Sequence, residues 1–156
     1  MKATSHIYPG SHSLGVYIAL KDCNKAIEWY KKAFNATERG RLIMPDGKIG
    51  HAEIEIEGSM LMMADENLDW GNKSAETIGG NPVGFALYVK DVDVAFKKAI
   101  DAGAKEVMPL KDEFYGDRIG QVMDPFGYKW SITTHQEDVS FEEMQKRMDK
   151  MFEEQK

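Results

Sequence analysis

The chain has 156 residues, 42% of them hydrophobic, which is enough for one domain with its own core and argues against wholesale disorder. A net charge of -6 speaks against a nucleic-acid partner, because binding to phosphate needs clustered Lys and Arg, and the pairs Lys31-Lys32 and Lys97-Lys98 fall on predicted helices, where they read as a solvated face. The one cysteine excludes an internal disulfide, no apolar run approaches the roughly 18 residues of a membrane span, and Met1 to His6 lacks the apolar stretch of a signal peptide, so a cytoplasmic location is expected.

The first predicted strand covers residues 15–20 and ends before Asp22, whose carboxylate suits the N-cap of a helix. Ala26, Ile27, Tyr30, Ala33 and Phe34 recur at three- and four-residue spacing and form that helix's apolar face. Asn35 fits the left-handed position after it. Strands are then expected at 37–44, 49–57 and 59–65, with turns at Pro45-Asp46-Gly47 and Gly58. The clearest is the run from His51 to Glu57, where alternation sends Ala52, Ile54 and Ile56 to one face and His51, Glu53 and Glu55 to the other. Residues 66–83, rich in Gly and polar side chains, read as a linker.

The same plan follows again. Gly15 to Asp22 aligns without a gap on Gly84 to Asp91, 69 positions later, and Ala26, Ala33 and Gly58 find their counterparts in Ala95, Ala102 and Gly127. A fixed internal period points to a duplicated supersecondary unit whose copies bury their apolar faces together. The second copy has a strand at 84–90, a helix capped by Asp91 and ended by Gly103, and strands near 104–110, 118–123 and 128–134. Asp124-Pro125-Phe126-Gly127 has the residue order of a type I turn. Beyond it, Ser140 and Glu143 match a capping box, and Phe141, Met144, Met148 and Met151 stripe one side of a final helix. The expected organisation is a single domain, with modules at 13–65 and 84–137, the linker at 66–83 and the C-terminal helix within 138–156.

A strand-helix-strand-strand-strand unit taken twice resembles the vicinal oxygen chelate superfamily of glyoxalases, bleomycin-resistance proteins and dioxygenases. The resemblance rests most on the run from Asp124 to Trp130, supported by Tyr115-Gly116-Asp117-Arg118. His51-Ala52-Glu53 before Gly58, and the run from Thr134 to Ser140, are similar to the PhnB-like branch. The resemblance implies an α+β fold in which two βαβββ modules curl into half-cups of mixed sheet around a small-molecule pocket, and it implies a homodimer. In the superfamily's metal enzymes, four cup-facing positions hold the ion, and those positions map here onto Gly15, Met62, Gly84 and Ser131. None offers imidazole or carboxylate, so no metal or other cofactor is expected.

If the apolar strand faces pack on the helices, alternation puts Tyr17, His51, Glu53, Met60, Met62, Tyr88, Gln121, Met123, Ser131, Thr133 and His135 in the cup. Aromatic and Met walls with a few polar groups suit a small-molecule pocket, although Met also fills ordinary core. His51 and Glu53 lie two apart on one strand face, placed to exchange a proton or share a metal; the plain alternative is a solvated strand face. Arg118 is either a fork for an anionic ligand or the partner of Asp117, Asp112 or Glu113. Cys23 follows the Asp22 cap without a His base and reads as packing, while His6 and His12 read as solvent-facing. The expected function is the binding of a small organic molecule through Tyr17, His51, Glu53, Met62, Tyr88, Arg118, Gln121, Ser131 and His135. Two alternatives stay open: a metal-dependent lyase or dioxygenase with unusual ligands around His51 and Glu53, and a drug-sequestering resistance protein.

Overall fold

The computed structural model describes residue 3 and residues 5–154; of the expected C-terminal segment, residues 155 and 156 lie outside that description. Strand β1 (Val16–Leu20), helix α1 (Cys23–Phe34) and strands β2 (Thr37–Ile43), β3 (Ile49–Ile56) and β4 (Ser59–Asp65) form the first module. Strand β5 (Gly84–Tyr88), helix α3 (Val92–Asp101) and strands β6 (Lys105–Asp112), β7 (Asp117–Met123) and β8 (Lys129–His135) form the second. Each module makes a four-stranded sheet, in the orders β1-β4-β3-β2 and β5-β8-β7-β6, with the first strand parallel to the last. The equivalent registers, Tyr17 beside Met62 and Ala86 beside Ser131, express the internal repeat as structure.

Local chemistry sets the helix ends. The Asp22 carboxylate accepts from the Lys25 amide at 3.0 Å, and that of Asp91 accepts from the Val94 amide at 3.1 Å. Asn35 closes α1 with φ at 55°. In the first sheet, Ile18, Leu20, Ala52, Ile54, Ile56, Leu61 and Met63 are all buried, because their alternation turns them toward α1. In the second, Gly120, Val122, Trp130 and Ile132 take the same role under α3. Gly120 is required there, since a Cβ would come within 2.6 Å of the Phe96 ring.

The modules meet through their helix-bearing faces. Helices α1 and α3 pack together, and the Trp29 indole donates to the Ala102 carbonyl at 2.9 Å. Tyr30 and Phe34 of α1 reach Trp130 on the far sheet, at ring separations of 5.6 and 4.8 Å. At the centre is the buried carboxylate of Asp124. It accepts from the Tyr30 hydroxyl (2.7 Å), the Trp130 indole (3.0 Å) and the amides of Phe126 and Tyr128 (2.9 and 2.8 Å). The Tyr128 hydroxyl donates to the Ala19 carbonyl at 2.7 Å and adds a second tie. Beside the packed helices the two sheets approach each other at a cavity of about 440 Å³, lined by Met60 of β4 and by Ala86 and Tyr88 of β5 among others.

Two segments depart from expectation. The linker contains a short helix, α2 (Ala75–Ile78), capped by the buried Ser74, whose hydroxyl in turn donates to Glu66 at 2.8 Å. Helix α4 (Phe141–Glu153) forms as predicted, yet no residue of it is buried, and Phe141 is 89% exposed. Its capping box is half made: the Ser140 hydroxyl accepts from the Glu143 amide at 3.2 Å, but the Glu143 carboxylate is taken by Arg147. Arg147 also grips Glu137 and the Phe114 carbonyl, and so ties the helix to the second module. No helix among the described residues is long and apolar enough to cross a membrane.

Candidate functional site

The open face of the first sheet carries the densest chemistry. Register sets Met62 between Tyr17 on β1 and Glu53 on β3, and His51 lies one alternation further along β3. His51 Nε2 stands 3.3 Å from Glu53 Oε1, and the Tyr17 and His51 rings are 5.8 Å apart. The side chains of His51 and Glu53 are 31% and 17% exposed, so this pair is half-sheltered without being sealed. Glu55 pairs loosely with Arg39 at 3.8 Å. The segment before β1 crosses the sheet at this end. Arg39 donates to the Pro9 carbonyl at 3.4 Å, and the Ser11 hydroxyl contacts the Met60 sulfur at 3.7 Å. Between that segment and β4 is a cavity of about 430 Å³, lined by Leu14, Gly15, Met60 and Met62 among others. Gly15 leaves room for the Met62 methyl, which a Cβ would meet at 2.8 Å.

The open face of the second sheet has different chemistry. Gln121 donates to the Ser131 hydroxyl at 3.1 Å. Asp117, 7% exposed, accepts from the Tyr88 hydroxyl at 3.1 Å and lies 2.6 Å from His135 Nδ1. The other His135 nitrogen lies 3.0 Å from Asp138. These two carboxylates, Asp117 first, raise the His135 pKa above its ordinary value. Burial, aided by Asp117, raises that of the Tyr88 phenol.

The sequence-derived site residues thus fall into two groups. Tyr17, His51, Glu53 and Met62 share one open face, and Tyr88, Gln121, Ser131 and His135 share the other; Tyr88 also lines, with Met60 of β4, a cavity of about 440 Å³ between the two sheets. Arg118 belongs to neither. It alternates with Asp117 onto the helix side, where Asp93 takes it bidentately at 2.8 and 2.9 Å and Asp112 binds at 3.1 Å, so its fork is already filled. Asp112 was among the partners expected for it; Asp93, from α3, was not. Cys23 is buried, and burial followed by the nearby Asp65 pushes its thiol up to about 12, away from thiolate chemistry. Asp117, read from the sequence only as a candidate partner of Arg118, lies on the open face, where alternation with Gln121 and Met123 places it.

The four positions that would hold the superfamily's metal carry two glycines, a thioether and a hydroxyl. That donor set does not fit a divalent ion. Among the described residues no three His, Cys, Asp or Glu side chains are grouped so as to hold one elsewhere.

Paired βαβββ modules, each with an open face lined by aromatic, Met and polar residues, define a protein of the glyoxalase-like class. The family model "Glyoxalase/Bleomycin resistance protein/Dioxygenase superfamily" matches residues 11–132, and the chain belongs to that superfamily. It is 41% identical over 139 residues to an uncharacterized protein of Mycobacterium tuberculosis (strain ATCC 25618 / H37Rv), covering 87% of this chain and 82% of that one. It is also 34% identical over 112 residues to an uncharacterized protein of Arabidopsis thaliana, covering 67% of each. Among solved structures it is similar to TioX from Micromonospora sp. ML1, with a TM-score of 0.62, 28% identity, and coverage of 80% of this chain and 99% of that one. A PhnB protein from Bacillus cereus shares the fold at a TM-score of 0.62 and 15% identity, over 79% of this chain and 99% of that one.

Proposed function

We propose that this is a cytoplasmic, PhnB-like member of the superfamily that binds a small organic molecule on the open face of its first sheet. The observation that carries this reading is the convergence of Tyr17, His51 and Glu53 around Met62, which in turn lines a cavity of about 430 Å³. Apolar walls with a few converging polar groups are the usual composition of a ligand site. We propose further that the protein works as a homodimer in which the second sheet of one copy, with Tyr88, Gln121, Ser131 and His135, closes over the first sheet of the other. Two features support this: the two groups of residues lie on separate sheets, and large apolar side chains lie bare on or beside them, Tyr17 at 47%, Leu42 at 68% and Tyr88 at 58% exposure. The reading assigns no reaction and includes no cofactor.

The test is sedimentation equilibrium joined to calorimetric titration of compounds selected by thermal shift. A dimer that binds such a compound, with affinity lost in Glu53→Gln and Tyr88→Ala alike, is the expected result. A monomer, or binding indifferent to Glu53, would remove the proposal.

A further inference from the structure

Among the many exposed apolar side chains, one stands out by how firmly it is presented. Trp70 is 73% exposed, whereas Trp29 and Trp130 are 9% and 4% exposed and use their indole N–H groups in hydrogen bonds within the fold. Its backbone is not loose. Asn67 and Asn72 exchange two backbone hydrogen bonds of 2.8 and 2.9 Å, and the Gly71 amide returns to the Leu68 carbonyl at 3.1 Å. Gly71 takes φ of 72°, and the Asn67 side chain accepts from the Trp70 amide at 3.1 Å. A tight, ordered turn therefore holds a large indole in water.

Trp70 shares a small cavity of about 120 Å³ with Tyr17 and Met44, at the end of the first sheet opposite the segment that crosses Met60. Gly50 makes the Met44 wall possible, since a Cβ there would lie 2.9 Å from the Met44 sulfur. The same cavity is lined by Asp46, Lys48, Asp65 and Glu66, so charged groups stand beside the aromatic and thioether walls and would meet a polar substituent on a bound ring. Two aromatic residues and a polarizable thioether are among the partners that a flat π-system prefers.

We propose that Trp70, Tyr17 and Met44 form a stacking subsite for a planar aromatic group, extending the ligand site beyond His51 and Glu53 and naming its ligands as planar aromatic compounds. This rests on the small-molecule reading of the first sheet. The test is ¹H–¹⁵N NMR of the full chain titrated with 2-naphthol and, as a saturated control of the same connectivity, 2-decalol. The chain has three tryptophans, and the Trp70 indole signal is assigned from Trp70→Phe. The expected result is an upfield shift of the Trp70 indole with 2-naphthol, weaker binding of 2-decalol, and affinity for 2-naphthol lowered about tenfold in Trp70→Ala. Binding of 2-naphthol that moves no Trp70 signal overturns the stacking subsite and leaves the broader reading standing. Binding at Trp70 that is indifferent to Glu53→Gln upholds the subsite but separates it from that reading. No response to 2-naphthol at millimolar concentration overturns the subsite, as does a Trp70 signal that moves with protein concentration alone, which would assign the indole to a contact between copies.

Discussion

Replacing Asp124 by Ala should do far more damage than the loss of one side chain suggests. The carboxylate is 4% exposed and accepts four hydrogen bonds, from Tyr30, Trp130 and the amides of Phe126 and Tyr128. Ala leaves all four donors buried without an acceptor. At about 1–3 kcal/mol per unsatisfied buried group, the expected loss is roughly 4 kcal/mol or more. That is a large share of the 5–15 kcal/mol typical of a domain. Tyr30→Phe removes only one donor and leaves the carboxylate with three, so its cost should be about 1 kcal/mol. Asp124→Asn keeps an oxygen for the two amides but sets an NH₂ against the Trp130 indole, which places it between the two. Urea unfolding followed by far-ultraviolet circular dichroism gives the three values. If Asp124→Ala proved no worse than Tyr30→Phe, the carboxylate would not be the tie between the modules.

Gly120→Ala should cost about 1–3 kcal/mol, because its Cβ would press on the Phe96 ring at 2.6 Å; an unchanged urea midpoint would contradict that packing. Phe141→Ser should stay within about 0.5 kcal/mol in dilute protein, where nothing in the chain covers the ring, and a larger loss would reveal a partner for α4. His135 supplies a pH dependence. Asp117 and Asp138 raise its folded-state pKa above about 6.5, so its contribution is complete below that value and is lost as pH rises through the raised pKa. His135→Gln should therefore flatten the melting temperature against pH above about pH 6.5, and an identical slope would count against the contact. Glu38 has the opposite sign. Arg41, then Lys31, lowers it from 4.5 to about 2, so its contribution is present above 4.5 and fades as pH falls toward 2. Glu38→Gln should make acid unfolding less steep in that interval.

Strands β3, β4, β7 and β8 were legible because each buries one face under a helix, and burial writes a period of two into sequences such as His51 to Glu57. The helices were legible from their caps and from the spacing of Ala26, Tyr30, Ala33 and Phe34. The duplication added what neither pattern supplies alone, the order of elements. What escaped had no period to reveal it: the four residues of α2, the turn that presents Trp70, and the segment laid across Met60. Arg118 had two readings in the sequence, a fork for a ligand or the partner of a nearby carboxylate, and the structure pairs it with Asp112, as expected, and with Asp93, which only the packing of α3 brings near. The relative orientation of the modules was also hidden. It depends on which residues Tyr30 and Trp130 meet across the helices, and one chain's pattern of polar and apolar residues is the same whether its open faces look toward each other or apart.

The central claim is that the open face of the first sheet holds a small organic molecule. Its most direct test is a thermal-shift screen of one compound library against the wild type and Met62→Trp, a substitution that fills the floor between Tyr17 and Glu53. The account predicts compounds that raise the melting temperature of the wild type and leave that of Met62→Trp unmoved. Compounds that stabilise both proteins equally would contradict it.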